Sequence, residues 1–167
     1  MLNLQPVTLA KHDNLYALML RIYPPAYQQL WVNQDCNWYI NSQYNKDNLK
    51  EELQLAHSNY YFIQFNNLTI GILRLVHQPN KKTTKLHRLY LDQDYQGQGL
   101  GKKVMTLAIT IAKQKLSKTI WLEAMDTQTQ ALQFYKKMGF IITEAYALDF
   151  DLIHPNLRGM YKMTKQL

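Results

Sequence analysis

Apolar side chains change their spacing along the chain in a way that marks strands and helices before any motif is read. Gln5 to Leu9 predicts a first strand. A helix from about His12 to Tyr23 follows, with apolar positions at Leu15, Leu18, Met19 and Ile22, and Pro24-Pro25 is expected to stop it. Residues 26–45 show no clean period. They combine two Trp and three Tyr with many amides and one charge, Asp35, so they serve either as core or as the wall of a pocket that needs shape and few charges. Asn45 or Asp47 can cap a short helix running through Leu55.

Tyr60 to Phe65 and Thr69 to His77 alternate or run apolar on either side of Asn66-Asn67, which suits a hairpin turn. A second turn over Gln78 to Thr84 leads to a short apolar run at 85–91, read as a buried strand. From Leu100 the spacing becomes helical again, through Leu100, Val104, Leu107, Ile111 and Leu116. A further strand, helix and strand follow. The last of these continues from Phe140-Ile141-Ile142 towards Leu148, with Arg158 to Met163 as its returning partner. Three sequential antiparallel strands followed by strand–helix–strand–helix–strand predict an α+β fold: one mixed, mostly antiparallel central sheet flanked by helices. Residues 1–167 read as a single domain without a linker.

The formal charge of +7 is concentrated in one segment. Residues 1–80 and 119–167 each carry five basic and five acidic side chains, whereas 81–118 has nine basic residues against Asp92 and Asp94. A positive field in that segment attracts anions, and part of it is a solvated helix face at Lys113, Lys115 and Lys118. A single Cys, Cys36, excludes a disulfide framework and a Cys-based zinc site. The five His residues show no metal spacing, and neither HExxH nor a Gly-x-Ser-x-Gly turn is present, so no metal is expected. No apolar run approaches the length of a membrane helix, and a cytoplasmic location is the default expectation.

The segment 85–101, KLHRLYLDQDYQGQGLG, joins a strand to a helix through Gly97, Gly99 and Gly101. The first N–H groups of such a helix are unpaired and bind anions, and glycine lets the backbone approach a phosphate closely. The spacing does not fit a Walker loop, because Gly97 and Gly101 enclose three residues and Lys102 precedes another Lys. A dinucleotide fingerprint fails as well, since the glycines run GxGxG and follow the strand at a distance. What fits is Q/R-x-x-G-x-G/A over Gln96, Gly99 and Gly101, which resembles the acetyl-CoA pyrophosphate loop of the GNAT N-acetyltransferases. A second stretch, TIWLEAMDTQTQALQFYKKMGF at 119–140, is similar to the same family's fifth strand, fourth helix and A-x-x-F-Y-x-K-x-G-F signature, here Ala131, Phe134, Tyr135, Lys137, Gly139 and Phe140.

The resemblance implies an enzyme that moves the acetyl group of acetyl-CoA to a primary amine of a small molecule or peptide in a ternary complex. It implies that coenzyme A lies against Leu89, Tyr90 and Leu91, the loop residues Gln96, Gly97, Gln98, Gly99, Leu100, Gly101 and Lys102, then Gln128 and Tyr135. Gln128 stands where the family usually has Asn. Tyr135 maps onto the general acid: a phenol of pKa ~10 can protonate a thiolate whose thiol has pKa ~8.5. Many relatives place a Glu where this chain has Lys85, so the base is open among Glu123, His87, Asp92 and a water chain, with Glu123 the first choice.

In this family the acceptor site would be built from 26–45 and 149–158, both short of basic residues, which predicts a neutral-to-acidic pocket for a small cationic amine. Alternatives are a non-catalytic module binding coenzyme A or a basic one binding nucleic acid. Nucleic acid is disfavoured, since the aromatics are not interleaved with the positive charge. No membrane partner is expected, and a homodimer is allowed.

Overall fold

The computed structural model describes all 167 residues, and its centre is a seven-stranded sheet with strand order β1-β2-β3-β4-β5-β7-β6. The strands are β1 (Leu2–Pro6), β2 (Ser58–Phe65), β3 (Leu68–Gln78), β4 (Thr83–Leu91), β5 (Thr119–Met125), β6 (Ile141–Ala147) and β7 (Gly159–Gln166). Only β4 and β5 run parallel; every other neighbour pair is antiparallel. Five α-helices cover the sheet: α1 (His12–Tyr27), α2 (Asn37–Tyr44), α3 (Lys46–Gln54), α4 (Leu100–Gln114) and α5 (Thr129–Lys137). One core layer gathers Leu15, Met19, Ile40 and Leu49 of α1–α3 against Phe62 and Ile72. The other packs Val104, Met105 and Ala108 of α4 against Leu73, Leu75, Ile120 and Leu122. The predicted α+β architecture is the one observed.

Three local expectations are corrected. The first strand is Leu2–Pro6, three residues earlier than the expected Gln5 to Leu9; Val7 is buried just past its end, where its N–H donates to Tyr60 O at 2.9 Å. Pro6 is tolerated because β1 is an edge strand. Pro24 and Pro25 do not stop α1, which runs one more turn to Tyr27. Proline removes two N–H donors but its fixed φ is compatible with a helix, and the added turn is closed by the Gln28 N–H on Pro24 O. Finally, two positions of the expected α4 stripe are not buried: Leu107 is 36% exposed, and Leu116, 81% exposed, lies past the end of the helix at Gln114. The buried face of α4 is Leu100, Val104, Met105, Ala108 and Ala112, because small alanines fit against the sheet where leucine would be too large.

Asn45 is the N-cap of α3: its side chain accepts from the Asn48 N–H at 2.8 Å. That cap sets the start of the helix that carries Glu52 to the sheet. Asn45→Ala should lower unfolding stability by about 1 kcal/mol in a denaturant titration; an unchanged midpoint would show that the cap contributes nothing.

Candidate active site

Parallel pairing between β4 and β5 lasts only three residues, Thr83↔Thr119, Thr84↔Ile120 and Lys85↔Trp121. Beyond these, Leu86–Leu91 and Leu122–Met125 diverge, and a cavity of about 510 Å³ fills the opening. It is lined from both layers of the fold: Tyr23, Tyr27, Trp31, Trp38 and Tyr39 on the α1–α2 side, Gln128, Ala131 and Tyr135 on the α5 side. Asp92 N–H donates to Ile70 O at 2.8 Å, so the alternating main chain of β4 turns Tyr90 towards β3 and leaves Leu89 and Leu91 facing the gap. The carbonyl of Leu91 indeed accepts from Gln96 Nε2 at 3.1 Å rather than from β3. Tyr90 contributes its ring instead, edge-on to Tyr23 and Tyr27.

The glycine turn lies beyond Leu91, outside the cavity lining. Asp92 fixes its start, accepting from the Asp94 N–H at 3.1 Å and pairing with Arg21 of α1. Gln98 Nε2 donates to Asp94 O at 3.1 Å, bracing the turn from within. Gly97 and Gly99 have φ of 74° and 75°, which L side chains rarely adopt, whereas Gly101 is helical and packs near Leu91 and Phe134. The first main-chain bond of α4 is Lys103 N–H to Gly99 O, so the amides of Leu100, Gly101 and Lys102 are left without helical partners. No acidic side chain sits in this first turn, and Lys102 and Lys103 do. Lysines at the positive end of a helix dipole are unfavourable unless an anion is bound there.

Tyr135 lies on α5 between Phe134 and Phe140, with ring centroids at 5.4 and 5.9 Å. Burial, and then the neighbouring Tyr27 from the opposite layer, raise its phenol above the ordinary 10.0, so it holds its proton throughout the physiological range. Gln128 caps the start of α5 and lines the cavity with no side-chain bond to the helix.

Glu123 lines the cavity just past the point of divergence. It accepts from Lys85 Nζ at 2.5 Å and from the Tyr146 hydroxyl at 2.8 Å. Burial alone would raise its carboxyl, but these hydrogen bonds and the charges of Lys85 and Lys162 outweigh it and hold the group below 4.5. Trp121 lies between the two lysines, with Nζ 4.6 and 4.9 Å from its ring. Asp92, the remaining carboxylate considered as a base, is committed to Arg21 and to its turn.

His87 was not placed by sequence spacing. Arg74 pairs with Arg88 and Leu75 with Leu86, so His87 is an extra residue in β4, a bulge that puts His87 and Arg88 on the same face. His87 Nδ1 lies 2.9 Å from Arg74 Nη1, which can only donate, so the neutral ring carries its proton on Nε2. Burial, followed by Arg88, Arg74 and Lys85, pushes its pKa down to about 3. With Nδ1 taken by Arg74 and the proton on Nε2, the ring has no free lone pair facing outward. Arg88 also lines the cavity, a guanidinium that β4 brings to the same space as the sparsely charged 26–45 and 149–158, beside the carboxylates of Glu123 and Asp149. Trp31 is buried core and Trp38 is half exposed, yet both line the cavity, so the choice between core and wall is resolved as both.

No group of His, Cys, Asp or Glu that could hold a metal ion is present, and no helix is long and apolar enough to cross a membrane. The chain belongs to the acetyltransferase (GNAT) family, whose model matches residues 13–140. It is 39% identical over 67 residues to the peptidyl-lysine N-acetyltransferase YjaB of Salmonella typhimurium, covering 40% of this chain and 42% of that protein. It is 36% identical over 56 residues to the spermine/spermidine N(1)-acetyltransferase of Bacillus subtilis, covering 33% and 37%. The chain thus spans less than half the length of either relative. Its fold is similar to that of the PaiA N-acetyltransferase from Thermoplasma acidophilum in complex with coenzyme A, with a TM-score of 0.80 at 19% identity over 100% of this chain and 99% of that one.

The Glu123 carboxyl titrates below its ordinary value in the folded chain, so its contribution to stability is complete above the ordinary carboxylate range and disappears as pH falls through the lowered value. Glu123→Gln should therefore melt below the parent protein at pH 7, with the difference closing in strong acid. A difference independent of pH would mean that the Lys85–Glu123 pair does not stabilise the fold.

Proposed function

We propose that this chain transfers the acetyl group of acetyl-CoA to a primary amine by direct attack in a ternary complex. The observation that carries the reading is the cavity through the β4–β5 opening, which exposes Leu89 of β4 and the Tyr135 side to acceptor groups arriving from the α1–α2 side. In this reading the diphosphate of acetyl-CoA binds at Gln96 to Lys102, on the unpaired amides of α4 and beside Lys102 and Lys103. The pantetheine arm runs along the open edge of β4 like an added strand.

The amine lone pair attacks the thioester carbonyl carbon, and an open main-chain amide of β4 donates to the oxygen as charge develops there. Collapse breaks the C–S bond. The departing thiolate takes the Tyr135 proton, which burial has kept in place up to that moment. The amine's own proton leaves through water by way of Glu123, a carboxylate of the cavity lining whose lowered pKa makes it a weak base that passes the proton on to solvent. The names of the relatives, acting on lysine and on polyamines, support a primary amine as acceptor.

Two measurements test the proposal. Gly99→Val forces a β-branched residue to φ near 75° and should abolish calorimetric binding of acetyl-CoA while circular dichroism stays native; undiminished affinity would remove the loop from the site. Tyr135→Phe should lower kcat by about 100-fold with little change in KM for acetyl-CoA. Wild-type turnover in that variant would leave Tyr135 as packing, and the absence of turnover in both proteins despite coenzyme binding would favour a non-catalytic binder.

A further inference from the structure

One wall of the cavity is built from hydrogen-bond donors backed by surplus positive charge. Arg88 and Arg74 are each only 3% exposed, and one carboxylate serves both: Glu52 lies 2.8 Å from Arg88 Nη1 and 3.7 Å from Arg74 Nη1. Their other partners are uncharged. Arg88 lies 4.9 Å over the Tyr44 ring and donates to Gln43 Oε1 at 3.0 Å, and Arg74 donates to His87 Nδ1. Burial raises the Tyr44 and Tyr60 phenols, so neither supplies a second negative charge. Two guanidiniums against one carboxylate leave one buried positive charge without a counterion, an arrangement that is costly unless a ligand completes it.

The groups in front of this pair point the same way. The arginines take the oxygen of Gln43 and the lone pair of His87, so the Gln43 amide NH₂ and the His87 Nε2–H face the cavity with no acceptor in the protein. The carboxylates that also line the cavity do not offset the charge. Glu123 is bonded to Lys85, and Asp149 is exposed at the rim.

We propose that the acceptor amine carries a carboxylate, bound at the wall formed by Gln43, His87 and Arg88, and that the enzyme acts on amino acids in preference to polyamines. The assignment rests on the acetyl-transfer reading for its substrate role. A carboxylate supplies the missing negative charge and accepts from both free donors. A polyamine would bring a second ammonium against the guanidiniums. The remaining walls, Tyr23, Tyr39 and Trp31 among them, are aromatic and suit an apolar side chain on the same molecule.

The test uses matched acceptors: phenylalanine, phenylalaninamide, phenethylamine, a tripeptide beginning with phenylalanine, and spermidine. Phenylalanine should exceed phenethylamine and spermidine by roughly 10- to 100-fold in kcat/KM. The advantage should lie in KM and should shrink about tenfold in Gln43→Leu and in His87→Phe. Binding is measured separately, by calorimetry of N-acetylphenylalanine against N-acetylphenethylamine on the coenzyme A-saturated protein. Tighter binding of the carboxylate, reduced in both variants, supports the proposal even if no amine is turned over, in which case acetyl transfer falls and the subsite stands. Equal binding of the two products overturns it, as does a preference unchanged in both variants. A preference for spermidine, for the amide or for the tripeptide also overturns it, the last two because a neutral carbonyl would then suffice.

Discussion

The site depends on a single failure of pairing. A parallel strand pair that stayed in register beyond Lys85 and Trp121 would satisfy its own main chain and close the sheet. Instead the opening exposes the β4 backbone and lets α1 and α5, in opposite layers, bring Tyr27 close enough to influence Tyr135. The vertex is held from both sides: Lys85, in the last β4 pair, bonds Glu123, two residues beyond its β5 partner, and Trp121 rests between Lys85 and Lys162. The point where the strands part is therefore also the point where their charged side chains are most firmly joined.

The second determinant is the bulge at His87. Without the extra residue, His87 and Arg88 would point to opposite faces, and only one of them could reach the cavity. With it, the buried arginines need a counterion from outside the sheet, which α3 delivers through Glu52. Removing one member of such a pair costs about 3–5 kcal/mol because the other charge is then stranded. This ties α2 and α3, distant in sequence from the glycine turn, to the shape of the cavity wall. Arg21 of α1 gives a comparable link by pairing with Asp92 at the start of the turn.

What could be read from the sequence was what depends on near neighbours. The glycine turn and the signature around Tyr135 are set by fixed spacings, and the hairpin at Asn66-Asn67 by local backbone preference, with φ of 49° and 66°. Errors came where a distant partner decides. Leu107 fits a helical stripe, but the sheet chose the face with Ala108 and Ala112. Pro24-Pro25 carry a local stop signal, yet the turn beyond them is held by stacking of Tyr23 on Tyr27 at 5.0 Å and on Tyr39 at 4.9 Å. The charge balance of 26–45 and 149–158 does not include Arg88, which β4 brings to the cavity from outside both segments. The bulge leaves no mark in the sequence, since it is defined by register against β3.

The order of strands has a consequence for how the molecule is made. β7 follows β6 in the chain but lies between β6 and β5, paired with both. As the polypeptide is synthesised, β6 emerges with no sheet to join, and all seven of its residues are exposed even in the finished fold. It is recruited only when β7 arrives and bridges the gap, drawing residues 148–158 across the cavity mouth, where Ile153 forms a bridge to Trp31. This wall of the cavity is thus among the last parts to assemble, by the slow closure of contacts far apart in sequence, after the glycine turn and α4 can already have formed.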